Sequence, residues 1–230
     1  TRSDDPMEAL VRSRVGAFTL CPPKGSDLTQ AEIGAGVRRI LDLGLPIALY
    51  QLPQVTENEV SPALFTDLAA AYPNLLFLKD TSGSDRVPEA DCGESGVFLV
   101  RGAEGAYASW LKESGGPYDG LLLSTANCFA PQLAGMVRAL ENGDLDRADA
   151  VSAQLTETVT AVFDLVEGLP NGNAFANANK AMDHMMAYGP GAAAETPPRL
   201  YAGARLPGAV IVETERILKA HDLMPDTGYL

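Results

Sequence analysis

Short, nearly continuous apolar segments alternate with stretches of helical periodicity along the first half of the chain, and this alternation constrains the fold most. Strands that are apolar on both faces are typical of a parallel sheet covered by helices on both sides. One apolar segment and one helical stretch together take about 25 to 30 residues, the length of a βα unit. We therefore predict an α/β protein with strands at 15–20, 46–50, 75–79, 97–101 and 120–124.

Helical patterns separate these strands and then occupy the rest of the chain. Ser61 and Pro62 stand in the order of an N-cap and a first helical residue, and Gly44 follows an earlier helical stretch as a C-terminal signal. From about Pro131 onward the strand pattern ceases, and 189–198 reads as a flexible connection. The predicted helices are 28–43, 61–72, 103–113, 133–140, 144–167, 173–188 and 209–221.

Net charge and the length of the apolar runs each exclude one class of partner. Asp and Glu number 30 against 17 Lys and Arg, which gives a net charge of −13 in 230 residues. A surface this negative repels phosphate backbones, and the sequence has no concentrated basic patch, so we expect no nucleic-acid partner. No apolar run approaches the roughly 18 residues of a membrane span, so we expect no membrane association.

The cysteines and histidines argue against disulfides and metals. Cys21, Cys92 and Cys128 are an odd number without C-x-x-C spacing, which favours reduced thiols and a cytoplasmic location. His184 and His221 each lack a second ligand at metal-binding spacing. We therefore predict no metal site.

Two strands end in unusual residues for a buried sheet. Tyr50 ends the second predicted strand and Lys79 ends the third, 29 residues later. That interval is one βα unit, so the two strands are expected to be neighbours about 4.8 Å apart. Functional side chains of parallel α/β folds collect at the carboxyl ends of strands. A phenol and an amine are thus predicted to face the same edge of the sheet.

A lysine in such a place has a chemical use. Burial disfavours the ammonium form, and the neutral amine can attack a carbonyl carbon and form an imine. A nearby tyrosine hydroxyl can pass protons to and from the intermediates. A structural interpretation competes with this one, in which Lys79 points to solvent or pairs with an aspartate and Tyr50 caps the core. Spacing alone leaves both interpretations open.

Longer stretches of sequence carry a resemblance to a known family. Residues 45–53 (LPIALYQLP) and 75–83 (LLFLKDTSG) resemble the tyrosine and lysine strand ends of the dihydrodipicolinate synthase / N-acetylneuraminate lyase family. The similarity continues through 118–131 (YDGLLLSTANCFAP) and 141–144 (ENGD). Several ordered motifs at suitable intervals make the resemblance specific over most of 15–169.

The resemblance implies a (β/α)₈ barrel with a C-terminal helical extension. Residues 1–140 would hold strands 4–8 of the barrel, and 141–230 would form the extension. It also implies class I aldolase chemistry, in which Lys79 forms a Schiff base with pyruvate or another 2-keto acid and Tyr50 relays protons. It implies no cofactor, since the imine itself withdraws electrons, and it implies a homotetramer.

The resemblance also bears on the substrate. Val55 stands where dihydrodipicolinate synthases carry an arginine that binds a substrate carboxylate, and valine cannot form that ion pair. Thr81, Gly102, Glu104 and Ser124 match substrate-contacting positions of the lyases and of the 2-keto-3-deoxy sugar-acid aldolases. We therefore predict a lyase, aldolase or dehydratase acting on a hydroxylated 2-keto acid.

The sequence leaves two other functions open. One is a synthase-like condensation of pyruvate with an aldehyde, and the other is a non-catalytic homologue that binds keto acids. Chain length adds an expectation of its own, because a complete (β/α)₈ barrel takes about 250 residues before any extension. We expect three further βα units ahead of Thr1 in the functional protein.

Overall fold

The computed structural model describes residues 6–91 and 93–230, and its internal contacts divide the chain into two units. The first unit runs to residue 103 and includes 110–122, and the second comprises 104–109 and 123–230. Cys92 lies outside the described residues, whereas Cys21 and Cys128 are free thiols. The division at residue 140 that the family resemblance implies stays a prediction.

The first unit contains a parallel sheet of five strands within the described residues, as the apolar segments predict. The strands follow one another in chain order across the sheet. Parallel neighbours in chain order require a crossover connection between each pair of strands. The strands are β1 (Phe18–Leu20), β2 (Ile47–Gln51), β3 (Leu75–Asp80), β4 (Phe98–Arg101) and β5 (Gly120–Leu121).

Local signals explain where the helices of this unit begin. Thr29 and Glu32 form a reciprocal capping box at the start of the second helix, and Ser61 caps the fourth, which opens with Pro62. Three short helices, the first, the third and the fifth, have no counterpart in the predicted set. The helices are α1 (Pro6–Arg12), α2 (Gln30–Leu41), α3 (Pro53–Thr56), α4 (Pro62–Ala71) and α5 (Arg86–Asp91).

Packing of α2 and α4 against the sheet forms the core of the first unit. One face of α2 buries Ile33 and Val37 completely, and α4 buries Phe65 and Leu68 in the same cluster. The burial of each such side chain contributes about 1.5–3 kcal/mol. The other face of the sheet is more open, since Phe98 is half exposed.

The predicted helix at 103–113 is wrong. The chain there takes positive φ angles at Gly105 (+89°) and Ala106 (+50°), which a right-handed helix excludes. The amide groups of Ala106 and Ala108 donate instead to the hydroxyls of Thr156 and Ser152, at 2.9 and 3.1 Å. Periodicity could not predict these bonds, because their acceptors lie more than 40 residues along the chain.

The end of this segment and the fifth strand also differ from the prediction. Only a 3₁₀ turn forms, at Lys112–Ser114. Trp110 lies in this irregular segment, and the centre of its ring is 4.3 Å from the guanidinium carbon of Arg101. β5 covers two residues rather than five, and Ser124 lies beyond its end.

Helices alone build the second unit, as predicted for the later part of the chain. Asp144 and Asn173 cap the second and third of these helices through their side chains. The first begins five residues before Pro131 and has non-helical dihedrals at Phe129, because proline cannot donate to the carbonyl one turn earlier. The helices are α6 (Ala126–Glu141), α7 (Leu145–Val166), α8 (Ala174–Tyr188) and α9 (Gly208–Ala220).

The core of this unit lies around α7, which packs against the other three helices. Met182 and Met185 of α8 are fully buried and fill part of this core. The predicted flexible connection is wrong over Gly189–Ala194, which forms a 3₁₀ helix. Ala192 is fully buried there, and its carbonyl oxygen lies 2.9 Å from Nε2 of His184. Across the described ranges, every helix is too short or too polar to cross a bilayer.

Candidate active site

Tyr50 and Lys79 lie directly opposite each other at the carboxyl ends of β2 and β3. The Lys79 Nζ is 3.3 Å from the Tyr50 hydroxyl and 4.4 Å from the centre of its ring. Both side chains are half-buried. Among the described residues no carboxylate lies within ion-pair distance of Lys79. The structure thus brings the predicted amine and phenol together, and the structural alternative of an aspartate pair is not what forms.

Gly102 packs closely against the lysine because it has no side chain. A Cβ built on this residue would lie 2.5 Å from Cε of Lys79 and closer still to Oγ1 of Thr81. Thr81 is 5% exposed, and its hydroxyl oxygen has no hydrogen-bond partner among the described residues. A buried hydroxyl without a partner is costly unless a ligand or water satisfies it. Lys79, Tyr50, Thr81 and Gly102 therefore form one group with free polar capacity.

A second group of residues lies behind the first, and the motif comparison does not reveal it. Gln51, Asp80 and Arg101 are the last residues of β2, β3 and β4, and each lies opposite its neighbour across the strands. All three are buried, at 0, 0 and 6% exposure. We call them the buried polar row. One signal in the sequence could have indicated it: three successive apolar strands each end in a strongly polar residue.

Asp80 holds the centre of this row. Its carboxylate accepts hydrogen bonds from the Ser82 backbone amide at 2.8 Å and from Nε2 of Gln51 at 3.3 Å. Burial raises the pKa of Asp80 above the ordinary carboxyl value, and the hydrogen bonds from Ser82 offset part of that rise. The negative charges of Asp85 and Glu59 raise this pKa further.

Arg101 is neutralised by a different carboxylate. Nε and Nη2 of Arg101 donate to the two oxygens of Asp85 at 3.0 and 3.2 Å, a bidentate pair buried from solvent. The Tyr118 hydroxyl donates to the same carboxylate. Burial raises the pKa of Tyr118, and the negative charges of Asp80 and Asp85 raise it further. Tyr118 therefore stays a protonated donor at neutral pH.

The remaining predicted site residues, Glu104 and Ser124, meet in the second unit. One oxygen of Glu104 accepts from the Ser124 hydroxyl at 2.8 Å and from the Thr125 amide at 3.2 Å, and the other accepts from Tyr107 at 3.0 Å. Asn179 donates to the Ser124 oxygen at 2.9 Å. The Glu104 carboxylate and the Ser124 hydroxyl therefore have their partners within this group. Asn179 was not among the predicted residues, since 55 positions separate it from Ser124.

Residues 6–91 and 93–230 hold no metal-binding cluster, and the Cys128 thiol is not an activated nucleophile. The described part of the chain has no group of three or more His, Cys, Asp or Glu side chains placed to hold a metal ion. Burial raises the pKa of Cys128 to about 12, and the negative charges of Asp183 and Glu104 contribute to the rise. A thiol that remains protonated at neutral pH is a poor nucleophile.

Comparison with known sequences identifies relatives of two kinds. The chain is 28% identical over 127 residues to the 4-hydroxy-tetrahydrodipicolinate synthase of Methanosphaerula palustris, covering 54% of this chain and 42% of the relative. It is 31% identical over 120 residues to a probable 2-dehydro-3-deoxy-D-pentonate aldolase of Escherichia coli, covering 49% of this chain and 38% of the relative. The chain thus spans less than half the length of these relatives.

Solved structures share the fold over a longer stretch. A dihydrodipicolinate synthase from Bacteroides thetaiotaomicron matches 93% of this chain and 70% of its own length, with a TM-score of 0.71 at 17% identity. A prophage protein of E. coli, described as a member of the dihydrodipicolinic acid synthase family in complex with pyruvate, matches 92% and 68% with a TM-score of 0.69 at 19% identity.

The fold and the strand-end residues define a protein of the (β/α)₈-barrel class, with five parallel strands and a helical extension within the described residues. A lysine and a tyrosine share the carboxyl edge of its sheet. Residues 17–183 match the Dihydrodipicolinate synthetase family, and the chain belongs to that family.

Proposed function

We propose that the protein is a lyase or aldolase that forms a Schiff base between Lys79 and pyruvate or a hydroxylated 2-keto acid. One observation carries the proposal: the Lys79 amine lies 3.3 Å from the Tyr50 hydroxyl, and Gly102, a residue without a Cβ, packs against the lysine side chain. An amine and a proton carrier in contact are groups that imine formation needs.

The chemistry proceeds from the neutral amine. The nitrogen lone pair of Lys79 attacks the keto carbon, and the carbonyl oxygen takes up a proton to become a carbinolamine hydroxyl. This hydroxyl leaves as water, with Tyr50 as the proton carrier, and a protonated imine remains. The iminium nitrogen then accepts the electron pair of the breaking bond at the neighbouring carbon. As the carbon–carbon bond breaks, the hydroxyl on the departing carbon gives its proton to the Tyr50 oxygen, which lost its own proton in the loss of water, and an aldehyde and an enamine form. The enamine carbon takes up that proton from Tyr50, and water then hydrolyses the imine and releases pyruvate and the free lysine amine.

The residues around Lys79 support a 2-keto acid as the substrate class. Thr81 offers a buried hydroxyl without an internal partner, which can bond to a substrate oxygen. Val55, 55% exposed, supplies no cation for a second carboxylate. Glu104 and Ser124 are predicted to accept hydrogen bonds from substrate hydroxyls, and their roles stay predictions. The resemblance to a probable pentonate aldolase supports the hydroxylated class.

A second candidate function is the condensation of pyruvate with an aldehyde. The similarity to a 4-hydroxy-tetrahydrodipicolinate synthase favours it. Both functions pass through the same pyruvate imine, and they differ in what the enamine then attacks. Turnover of pyruvate with aspartate semialdehyde would support this candidate over the first. The homotetrameric assembly and the cytoplasmic location also stay predictions.

Borohydride trapping tests the proposal. Incubation of the protein with pyruvate and sodium borohydride is expected to add one reduced pyruvyl group, and peptide mapping is expected to place it on Lys79. Lys79→Ala should abolish the adduct. Lys219→Ala is the matched control, because Lys219 is an exposed lysine paired with Glu215. An adduct absent from the wild-type protein would leave the keto-acid-binding alternative.

A panel of 2-keto-3-deoxy acids then separates the substrates. Pyruvate release from a hydroxylated member, and no turnover with aspartate semialdehyde, would establish the lyase function. The opposite result would establish the condensation.

A further inference from the structure

Pairing between β2 and β3 changes register just before the candidate site. Ile47 lies opposite Leu75, but the next residue of β2, Ala48, lies opposite Phe77, so Leu76 is an extra residue in β3. Leu76 is 48% exposed and Phe77 is also not buried, so two successive residues leave the packed face, as in a bulge. The register at the carboxyl ends is thus not a simple continuation of the register at the start.

The bulge decides which residues meet. If the pairing of Ile47 with Leu75 continued without the extra residue, Tyr50 would lie opposite Leu78, and Gln51 would lie opposite Lys79. In the observed register Tyr50 lies opposite Lys79 and Gln51 opposite Asp80. Side chains alternate between the two faces of a strand, so the Tyr50–Lys79 pair and the Gln51–Asp80 pair lie on opposite faces.

The Gln51–Asp80 hydrogen bond belongs to the observed register. Oε1 of Gln51 accepts from the Val60 amide at 2.9 Å, which turns Nε2 toward Asp80. One oxygen of Asp80 accepts from Ser82, and the other accepts this Nε2. Both side chains are fully buried, so a slip that separated them would leave buried polar groups without partners.

We propose that Asp80 is a positioning residue: through its buried hydrogen bond with Gln51 it selects the bulged register and so places Lys79 against Tyr50. Asp80 touches no reacting atom in this role. The inference rests on the proposed function for its consequence in catalysis, but the register itself is a property of the fold and can be measured without a substrate.

Two variants test the hydrogen bond between Gln51 and Asp80. The second exchanges the carboxylate and the amide between the two positions and so keeps the total charge. In Asp80→Asn, one side-chain oxygen can still accept from Ser82, but the new amide group faces the amide group of Gln51, donor against donor. In the double variant Gln51→Glu/Asp80→Asn, the glutamate can accept from Val60 and from the new amide. The hydrogen bond is thereby restored with its polarity reversed.

Two readouts are compared in the full chain. The first is the rate of the borohydride-trapped pyruvate adduct per folded protein. The second is hydrogen exchange of the Thr81 amide, which donates to the Gln51 carbonyl oxygen at 2.9 Å in this register. Asp80→Asn should slow the adduct at saturating pyruvate about tenfold, with a smaller change in half-saturation, since misplacement acts on the reacting geometry. It should also speed Thr81 exchange about tenfold, and the double variant should recover both within about threefold.

A structural contribution alone would give a different pattern. Thr214→Val is the matched control, because it removes a buried hydroxyl that donates to Val210 within α9. It is expected to lower stability and to leave the adduct rate and Thr81 exchange unchanged. An Asp80→Asn protein with wild-type values of both readouts would overturn the proposal, and so would a folded double variant that recovers neither.

Two safeguards keep the test decisive. If Asp80→Asn does not fold, Gln51→Met takes its place, and wild-type exchange at Thr81 in that variant would equally overturn the proposal. If the wild-type protein forms no adduct, the proposed function fails by itself. Thr81 exchange in the same variants then still decides whether Asp80 sets the register.

Discussion

The two groups of predicted site residues differ in how far their polar atoms are already satisfied. Around Lys79, the Thr81 hydroxyl has no partner among the described residues, and Gly102 packs so closely against Lys79 and Thr81 that no Cβ fits there. Around Glu104, both carboxylate oxygens are occupied by donors, and Asn179 holds the Ser124 hydroxyl. The first group has free capacity to bind a ligand, whereas the second is held in place before any ligand arrives. Polar residues at similar positions in a motif can thus differ in function according to their partners.

The strongest test of this difference adds a methyl group next to Lys79. Gly102→Ala places a methyl group 2.5 Å from Cε of Lys79, so the lysine must move or lose its geometry. We expect adduct formation to fall about 100-fold or more, because misplacement by about 1 Å can have that effect. The measurement is the rate of borohydride trapping. Gly16→Ala is the control, because nothing lies within 4 Å of a Cβ built there. Unchanged trapping in Gly102→Ala would show that the close packing of Gly102 against Lys79 is not needed for imine formation.

Removal of the proton carrier should have the next largest effect. Tyr50→Phe keeps the ring beside the lysine but loses the hydroxyl at 3.3 Å. General acid–base catalysis contributes about 10²–10⁴-fold, so we expect turnover to fall about 100-fold at least. Stopped-flow or discontinuous assays of pyruvate release measure this. Tyr201→Phe, at a residue 97% exposed, should behave as wild type. Equal rates for Tyr50→Phe and wild type would assign proton transfer to another group.

A substitution in the group around Glu104 should lower the stability of the protein and leave imine formation unchanged. Glu104→Gln weakens the charged acceptor of three hydrogen bonds, and the loss should lower the free energy of unfolding by about 1–3 kcal/mol. Urea unfolding measures the loss, with the exposed Glu195→Gln as the control. The pyruvate adduct should form at the wild-type rate. A large fall in adduct formation without a loss of stability would contradict the contrast between the two groups.

The smallest expected effect concerns pH and the buried polar row. Because the pKa of Asp80 is raised in the folded state, the folded protein binds this proton more tightly than the unfolded chain does. The stabilisation is complete below the ordinary aspartate pKa, about 3.9, and is lost as pH rises through the raised value. Asp80→Asn should therefore show a weaker decline of the unfolding free energy with rising pH. Urea midpoints from pH 4 to pH 7 measure it, and identical slopes in both proteins would show that Asp80 carries no such linkage.

Much of the fold follows from local patterns. Apolar runs predict all five strands, and the capping residues Thr29, Ser61 and Asn173 lie where their helices begin. That Tyr50 and Lys79 lie at the same edge of the sheet follows from the interval between them and from the rule that parallel strands end at a common edge. The segment 103–113 could not be predicted in this way. Its amide groups bond to side chains far along the chain, and that competition is invisible to periodicity.

The buried polar row separates what the sequence determines from what only the tertiary structure decides. The sequence by itself determined that the apolar segments of the second, third and fourth strands run to Tyr50, Lys79 and Arg101, with Gln51 and Asp80 directly after the first two. Only the tertiary structure decided that one extra residue in β3 brings Tyr50 opposite Lys79 rather than Leu78. The physical reason is that register depends on the pairing of two strands. Side chains buried between strands, and not the pattern along either strand, set its free energy.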